Sequence, residues 1–136
     1  MLTREGELKL INFKIAKRFK KGEMLECKDL DDRHRRPEFQ APEVFRGAFD
    51  SKCDLWSVGC ILYAAMSGYL PFQDDNTTEF HYDLVERIKL GEFNLDRLEF
   101  EKCSEHVIDL IKKLLEKDPK KRYSAEQALL HPWFKE

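Results

Sequence analysis

The sequence predicts a mainly α-helical domain that is built around one buried central helix and carries a short N-terminal β-strand. The main observation is an apolar run over residues 55–66, in which only Ser57 is distinctly polar. Its apolar residues fall on every side of a 3.6-residue wheel, a pattern typical of a helix enclosed by protein on all faces. Two later segments show helical periodicity, whereas strand-like alternation is confined to residues 8–13.

The composition indicates a single small domain. The chain has 136 residues and a formal net charge of −2, and no charged-then-apolar segment follows Met1. We therefore expect a cytoplasmic protein, with a nuclear location as the alternative, that binds neither nucleic acid nor membrane. The central apolar run is shorter than the roughly 20 residues that a bilayer requires. The four cysteines form no CxxC pair, so we expect free thiols, with Cys60 in the core.

The first part of the chain is predicted to hold one strand and one long loop. Residues 8–13 follow a turn-like Glu-Gly-Glu and alternate as a strand does. Residues 14–36 carry nine basic and five acidic side chains, which indicates a long charged loop. Two prolines in residues 37–43 close this loop, and residues 44–47 are predicted to form one helical turn. The predicted regions are a strand region 1–13, a loop 14–43 and a helical part 44–136.

The central helix has a start signal and a stop signal in the sequence. Ser51 and Asp54 have the spacing of a capping box, which predicts that the helix begins there. Gly68 predicts its end, because glycine readily adopts the left-handed conformation that closes a helix, and Pro71 follows shortly after.

Three further helices are predicted in the second half of the chain. Apolar residues at helical spacing indicate one helix over residues 78–90 that ends at Gly91, and another over residues 104–116. Ser124 and Gln127 form a second capping box, which opens a short last helix that stops before Pro132.

Four motifs, in this order and spacing, resemble the C-terminal lobe of a eukaryotic Ser/Thr protein kinase. Residues 9–17 (KLINFKIAK) are similar to the strand and metal-binding Asp-Phe-Gly of that family, and residues 37–43 (PEFQAPE) to the end of its activation segment. Residues 54–59 (DLWSVG) resemble its buried helix, and residues 117–123 (KDPKKRY) with residues 131–134 (HPWF) resemble its last two helices. The resemblance covers nearly the whole chain and leans loosely toward calmodulin-dependent kinases.

The resemblance implies a partial protein-kinase-like domain, with loop 14–43 as its activation segment and residues 44–136 as its helical C-lobe. It implies that Glu43 and Arg122 form a buried ion pair that ties the activation segment to the last helices. It also implies that Asp54 accepts backbone amides of the catalytic loop. The structural motif carried over from the family comprises Ala41, Pro42, Glu43, Asp54, Trp56, Gly59 and Arg122.

The groups that transfer phosphate are missing from or altered in residues 1–136. Transfer requires a Gly-rich loop, a strand lysine, a catalytic Asp, and metal held by an Asn and by the Asp of Asp-Phe-Gly. The chain contains no G-x-G-x-x-G, no Val-Ala-Ile-Lys-like strand and no His-Arg-Asp, which the family places upstream, and its Asp-Phe-Gly site is Asn12-Phe13-Lys14. The neutral Asn12 amide lacks the charge that holds Mg²⁺, and Lys14 replaces a flexible glycine. We therefore expect no catalytic residue, no metal ligand and no intact cofactor site.

Two further departures concern the activation segment. Arg35 and Arg36 stand where the family usually has Gly-Thr, so the hydroxyl that would bond the catalytic Asp and Lys is absent. No Ser, Thr or Tyr lies between Phe13 and Ser51, so phosphorylation cannot switch this segment.

Several polar residues allow two interpretations. Asn12 is either a strand-end residue without a ligand or a residual contact to nucleotide or metal. The basic residues 17–21 form either a solvated loop face or a patch for nuclear import or an acidic partner. Cys103 and His106 are potential zinc ligands, but no companion pair lies nearby in sequence. The other histidines are interpreted as surface or helix-end residues: His34, His81 and His131.

The sequence supports two main functional hypotheses. The first is a truncated pseudokinase, a C-lobe remnant that uses no cofactor and binds a protein partner or the missing kinase half. The alternative is a fragment of a Ser/Thr kinase that transfers the ATP γ-phosphate to protein Ser/Thr, with ATP and Mg²⁺ as cofactors. A helical interaction domain unrelated to kinases is a third hypothesis, against which the ordered motifs argue.

The resemblance further implies that one side of the central helix is uncovered. In the family, helices that precede the matching segment cover that side, so here an apolar patch large enough to drive association is expected. Asp54 also loses its amide donors. We therefore expect a marginally stable monomer.

Overall fold

The computed structural model describes residues 1, 3–18, 20, 22–26, 36–73, 84–96 and 98–135. Within these residues lie two short strands, β1 (Leu25–Glu26) and β2 (Ala48–Phe49), and four α-helices. The helices are α1 (Lys52–Ser67), α2 (Leu84–Leu90), α3 (Glu105–Leu114) and α4 (Ala125–Leu129). Short 3-10 turns join them at Phe13–Ile15, Pro37–Phe39, Val44–Arg46, Leu98–Lys102 and Pro132–Lys135. The predicted mainly α fold, with one central helix, is confirmed.

The central helix α1 ends as predicted but is capped differently at its start. Gly68 adopts a left-handed conformation (φ 79°) and donates its N–H to the carbonyl of Ala64 at 2.8 Å. The predicted capping box is wrong, because the Ser51 side chain makes no capping hydrogen bond. Instead, Oδ1 of Asp50 accepts the N–H of Lys52 at 2.8 Å, so the side chain one residue earlier satisfies the first free amide.

Helix α1 is buried on one face only. Its buried residues recur at helical spacing on that face: Trp56, Gly59, Cys60, Tyr63 and Ser67. The opposite face is exposed, and Val58 and Ile61 keep 47% and 58% of their surface accessible. Asp54 and Ala65 lie on the same exposed stripe. The sequence expectation of burial on all faces is therefore wrong, and Val58 and Ile61 leave apolar side chains exposed on the opposite face.

Helix α3 covers the buried face of α1. Ser104 begins α3 by accepting the N–H of Val107 at 3.3 Å, and Leu110 and Ile111 point their apolar side chains into the core. The two helices approach closely at Gly59, where an added Cβ would lie 2.9 Å from Leu114 Cβ. A side chain at position 59 would therefore push the helices apart.

Aromatic rings complete the core beside α1. Trp56 stacks on Phe72 with a ring separation of 5.2 Å, and Tyr63 packs against Phe93 and Phe100 at 6.0 Å and 5.0 Å. The Tyr63 hydroxyl donates to a backbone carbonyl at 2.6 Å, so this buried polar group is satisfied.

The strand predicted over residues 8–13 is not formed as a strand of the sheet. Lys9 exchanges two backbone hydrogen bonds with Met1, and the sheet is instead the antiparallel pair of β1 and β2. Leu8, Leu10 and Ile11 are exposed, so the alternating apolar residues have no core to cover them. The pairing with the start of the chain is limited to a single bridge at Leu8, because a short two-stranded pair without a packed apolar face is not stable by itself.

The predicted helices of the second half are confirmed where they are described. The prediction over residues 78–90 corresponds to α2, which ends at Gly91 (φ 69°), while residues 78–83 lie outside the described residues. The reciprocal capping box of Ser124 and Gln127 opens α4. The described helices include none that is both long and apolar enough to cross a membrane.

We predict that Gly59→Ala lowers the free energy of unfolding. Alanine gains about 1 kcal/mol of helix propensity, but overpacking against Leu114 and Leu115 costs about 1–3 kcal/mol. The difference is a net loss of up to about 2 kcal/mol in the free energy of unfolding, measured by urea unfolding followed by circular dichroism.

The control is Ala65→Gly on the exposed face of the same helix. This substitution lowers helix propensity without changing the packing between α1 and α3. It is expected to lower the free energy of unfolding by about 1 kcal/mol. A Gly59→Ala chain that is more stable than the wild type would contradict the close approach of the two helices.

Candidate functional site

The implied ion pair between Glu43 and Arg122 is present and buried. The two guanidinium Nη atoms donate to the two carboxylate oxygens at 2.5 Å and 2.9 Å, a bidentate geometry. Arg122 is fully buried and Glu43 is 5% exposed, although the two residues are 79 positions apart in the sequence. The pair therefore joins the end of loop 14–43 to the segment that follows α3.

Arg122 uses all five of its N–H donors. Nε donates to the backbone carbonyl of Glu116 at 2.8 Å. Nη1 also donates to the backbone carbonyl of Lys52 at 3.0 Å, and Nη2 to that of Lys117 at 3.5 Å. The guanidinium further lies over the Trp56 ring, 5.1 Å from its centroid. Complete pairing offsets the desolvation of the buried charge, which is the condition for such a charge to be tolerated.

Lys52 provides a second connection between the same segments, which the sequence analysis missed. Its ammonium donates to the carbonyls of Arg122 at 2.8 Å, Pro119 at 2.9 Å and Lys120 at 3.4 Å. One feature of the sequence could have indicated this role: Lys52 lies in the first turn of α1, where its positive charge interacts unfavourably with the helix dipole. A lysine there indicates that its side chain satisfies carbonyls elsewhere.

An open cleft of about 460 Å³ lies beside the N-terminal end of α1. Its apolar lining includes Leu25, Ala41, Val44 and Phe49, and its polar lining includes Asn12, Lys17, Arg36, Asp50 and Asp54. The Ser57 hydroxyl donates to the carbonyl of Phe39 at 2.8 Å, which holds the turn Pro37–Phe39 against α1. The cleft therefore brings the altered Asn12 position and the Asp54 motif position to one place.

Asn12 is exposed and adopts a left-handed backbone (φ 63°, ψ 60°). Among residues other than glycine, Asn and Asp tolerate this conformation best. The neighbouring Lys14 is also exposed. Asn12 therefore contributes a neutral amide to the lining of the cleft in place of a carboxylate, whereas Lys14 does not line the cleft.

Asp54 is exposed on α1, and the Cys53 thiol lies 3.8 Å from its Oδ1. Burial, followed by the nearby negative charges of Asp54 and Glu43, raises the pKa of Cys53 from its ordinary value of 9.0 to about 12. Burial likewise raises the pKa of Cys60 from 9.0 to about 12. Both side chains are free thiols that stay protonated at neutral pH.

The other candidate residues are placed as follows. Cys103 is half-buried and His106 exposed, and no cluster of three or more metal-ligating side chains lies in the described part of the chain. Lys17, Arg18 and Lys20 of the basic run are exposed. His34, His81, Arg35 and Cys27 lie outside the described residues.

Of the two interpretations of His131, the helix-end one is confirmed and the surface one is wrong, because this residue is buried directly after the end of α4. Its Nδ1 accepts the N–H of Trp133 at 3.3 Å, and its Nε2 lies 3.1 Å from Asp109 Oδ2. Since Nδ1 accepts, Nε2 carries the proton and donates to the carboxylate. The contact ties the C-terminal turn to α3.

Comparison with known proteins agrees with this architecture. The family model for the protein kinase domain matches residues 1–134. Calcium-dependent protein kinase 3 of Plasmodium berghei (strain Anka) is 35% identical over 131 residues, which are 96% of this chain and 22% of that protein. Calcium-dependent protein kinase 4 of Plasmodium falciparum (isolate 3D7) is 36% identical over 128 residues, which are 94% of this chain and 22% of that protein.

The chain therefore belongs to the eukaryotic Ser/Thr protein kinase family. Within that family it is similar to calcium-dependent protein kinases, and it spans about 22% of the length of the two relatives described. Its helical architecture is that of a partial kinase C-lobe, as the motifs implied.

We predict that Glu43→Gln strongly destabilises the chain. The substitution leaves the buried Arg122 guanidinium without a counter-charge, which costs about 3–5 kcal/mol. A small domain has only about 5–15 kcal/mol of stability, so loss of cooperative unfolding at 37 °C is the expected result by circular dichroism.

The matched control is Glu86→Gln in the exposed pair with Lys89, whose charged atoms are 2.7 Å apart. An exposed pair at this helical spacing is worth only about 0.2–0.5 kcal/mol. Equal losses of stability from Glu43→Gln and Glu86→Gln would show that burial does not determine how much an ion pair contributes to the stability of this chain.

We predict that Cys53 and Cys60 resist alkylation by iodoacetamide at pH 8 in the folded chain. Folding raises both thiol pKa values from 9.0 to about 12, so the reactive thiolate is scarce. By linkage, the stability that these thiols contribute is fully present below pH 9 and is lost as the pH rises toward 12.

Peptide mass spectrometry measures this protection, and alkylation in urea supplies the unfolded control. Rapid native labelling of Cys60, at a rate like that in urea, would be inconsistent with its burial against α3.

Proposed function

We propose that this chain is a non-catalytic kinase C-lobe, a truncated pseudokinase that acts by binding protein. The observation that carries this proposal is the exposed apolar face of α1. Val58, Ile61 and Ala65 form its centre, and they lie on the helix around which the core is built. Exposed apolar side chains that lie next to one another on a helix favour a protein-binding role for that face.

The absence of catalysis is supported by the chemistry of the Asn12 position. A neutral amide replaces the carboxylate that holds Mg²⁺ in the family, and the adjacent Lys14 adds a positive charge that repels a metal ion. The Arg35-Arg36 pair supplies no hydroxyl where the family uses one. Each change removes a group that phosphoryl transfer uses directly.

The scaffold residues of the family are retained beside these altered chemical residues. The Glu43–Arg122 pair is bidentate, and Trp56 and Gly59 occupy the buried face of α1. Glu43, Arg122, Trp56 and Gly59 preserve the shape of the lobe without taking part in phosphate chemistry. Retained shape with altered chemistry favours a binding role for the lobe.

The second candidate is a fragment of an active Ser/Thr kinase that transfers the ATP γ-phosphate to proteins. It is favoured by the similarity to proteins named as calcium-dependent protein kinases. In that case a longer protein supplies the Gly-rich loop and the catalytic loop, and ATP and Mg²⁺ are its cofactors.

Our proposal includes no cofactor for residues 1–136 and a protein partner or a kinase half as the ligand of the α1 face. It excludes nucleic acid as a ligand because the net charge is −2, and a membrane span because the central apolar run is shorter than a bilayer requires. We propose a cytoplasmic location, with the nucleus as the alternative.

We predict that Mg-ATP does not raise the melting temperature of the chain. Thermal-shift titrations with Mg-ATP and with ATP in EDTA are expected to give the same curve, because no carboxylate at position 12 holds the metal. Light scattering run in parallel reports the oligomeric state.

The matched variant is Asn12→Asp with Lys14→Gly, which restores the family residues at this site. A Mg-dependent rise in the variant alone would support the loss of the metal site through these substitutions. A Mg-dependent rise in the wild type would overturn the non-catalytic proposal in favour of the kinase fragment.

A further inference from the structure

Two pairs of lysines that are separated in the sequence lie close together at the end of α3. One pair belongs to the last turn of α3, and the other belongs to the segment that follows the helix. The N–H of Tyr123 donates to the carbonyl of Lys113 at 3.2 Å, which folds this segment back onto the end of the helix. The two pairs and one further lysine between them are exposed, and together they form a lysine surface: Lys112, Lys113, Lys117, Lys120 and Lys121.

The acidic side chains of this region do not pair with the lysines. Oε1 of Glu116 accepts the N–H of Asp118 at 2.9 Å, and Oδ1 of Asp118 accepts the N–H of Lys120 at 2.9 Å, so both carboxylates hold the backbone of the turn. In the described part of the chain, no carboxylate lies within ion-pairing distance of any lysine of the surface. The lysine charges are therefore available to a partner.

The lysine surface concentrates positive charge on an acidic chain. Residues 112–121 carry five basic and two acidic side chains, a net charge of +3. The total charge is −2, so the remaining residues carry −5. The helix dipole accounts for the two lysines in the last turn of α3, because cations are favourable there. It does not account for Lys120 and Lys121, which lie beyond the helix.

The backbone beneath the lysine surface is held in place. The ammonium of Lys52 donates to three carbonyls of residues 119–122 at 2.8–3.4 Å. The ammonium of Lys113 lies 5.8 Å from the centroid of the Tyr123 ring, and that of Lys117 donates to a backbone carbonyl at the end of α2 at 3.1 Å. A surface that is already ordered loses less conformational entropy when it binds.

We propose that the lysine surface binds a short segment of another protein that is rich in Asp and Glu. Lysine ammonium groups are mobile point charges, which suits carboxylates whose spacing is not fixed. A nucleic acid or an anionic membrane presents a more extended array of negative charge, which the net −5 of the remaining residues repels, whereas a short acidic segment contacts the lysine surface alone. This surface is separate from the α1 face, and the inference does not rest on the proposed function.

Fluorescence anisotropy of a labelled oligoglutamate peptide, titrated with the whole chain, tests the proposal. The expected result is binding at low ionic strength that weakens as salt is raised from about 0.01 M to about 0.15 M, because the Debye length falls from about 30 Å to about 8 Å. An oligoglutamine peptide of the same length is expected not to bind.

Charge reversal locates the binding site. Lys120→Glu with Lys121→Glu is expected to weaken peptide binding at least about tenfold, since each exposed ion pair contributes a factor of about 1.5–5 and the new carboxylates repel the peptide. Lys120→Gln with Lys121→Gln removes the charges without adding acid beside Asp118, and a smaller loss is expected. Because the altered side chains are exposed, all of these variants are expected to retain the wild-type melt.

A single substitution on α3 tests whether the two pairs act together. Lys112→Gln is expected to weaken binding by a factor of about 1.5–5, although this residue precedes the turn in the sequence. The matched control is Lys17→Glu with Lys20→Glu, which makes the same change of charge at exposed residues of the other basic run and is expected to leave binding unchanged.

Four results would overturn the proposal. They are a wild type that does not bind the peptide at low salt, equal losses in the two Lys→Glu double variants, a loss confined to the Lys17 and Lys20 variant, and unchanged binding in Lys112→Gln. Tighter binding of duplex DNA or of phosphatidylserine vesicles than of the peptide would also overturn it, because the partner would then be a nucleic acid or a membrane.

Discussion

The buried guanidinium of Arg122 is the interaction on which the rest of the described structure depends. Its five N–H donors bond the carboxylate of Glu43 and the backbone carbonyls of Lys52, Glu116 and Lys117. The guanidinium also lies over the ring of Trp56. These partners lie in the loop before α1, in the first turn of α1 and in the segment after α3. One charge therefore sets how three parts of the chain meet, and each hydrogen bond is needed because an unpaired buried charge is not tolerated.

The position of α1 follows from this network. The helix is held at its N-terminal end by Arg122 and Lys52, and along one face by α3, which approaches closely because residue 59 is glycine. Its opposite face receives no such cover among the described residues, although the side chains there are aliphatic. This asymmetry gives the lobe both a packed core and an open apolar surface, and the proposed function concerns what that surface binds.

The scaffold and the chemistry of the family separate clearly in this chain. The ion pair and the close-packing glycine occupy buried positions, where any change is costly in stability. Asn12 and Lys14 occupy exposed positions, where substitutions cost little stability. A lobe can therefore keep its shape after the groups that would hold metal have changed, which is the physical basis for proposing a binding role.

The sequence by itself determined the features whose cause lies within a few residues. Gly68 ends α1, Ser124 and Gln127 open α4, and periodic apolar residues predict α3, because each of these signals is satisfied locally. The motif resemblance also identified the Glu43–Arg122 pair. The cap at Asp50 is equally local, although the sequence prediction assigned it to Ser51. Only the tertiary structure decided which face of α1 is buried, that His131 is enclosed and that residues 8–13 form no strand beyond a bridge at Leu8. These outcomes depend on partners distant in sequence, and an apolar pattern records that a residue can be buried, not whether a neighbour is present to bury it.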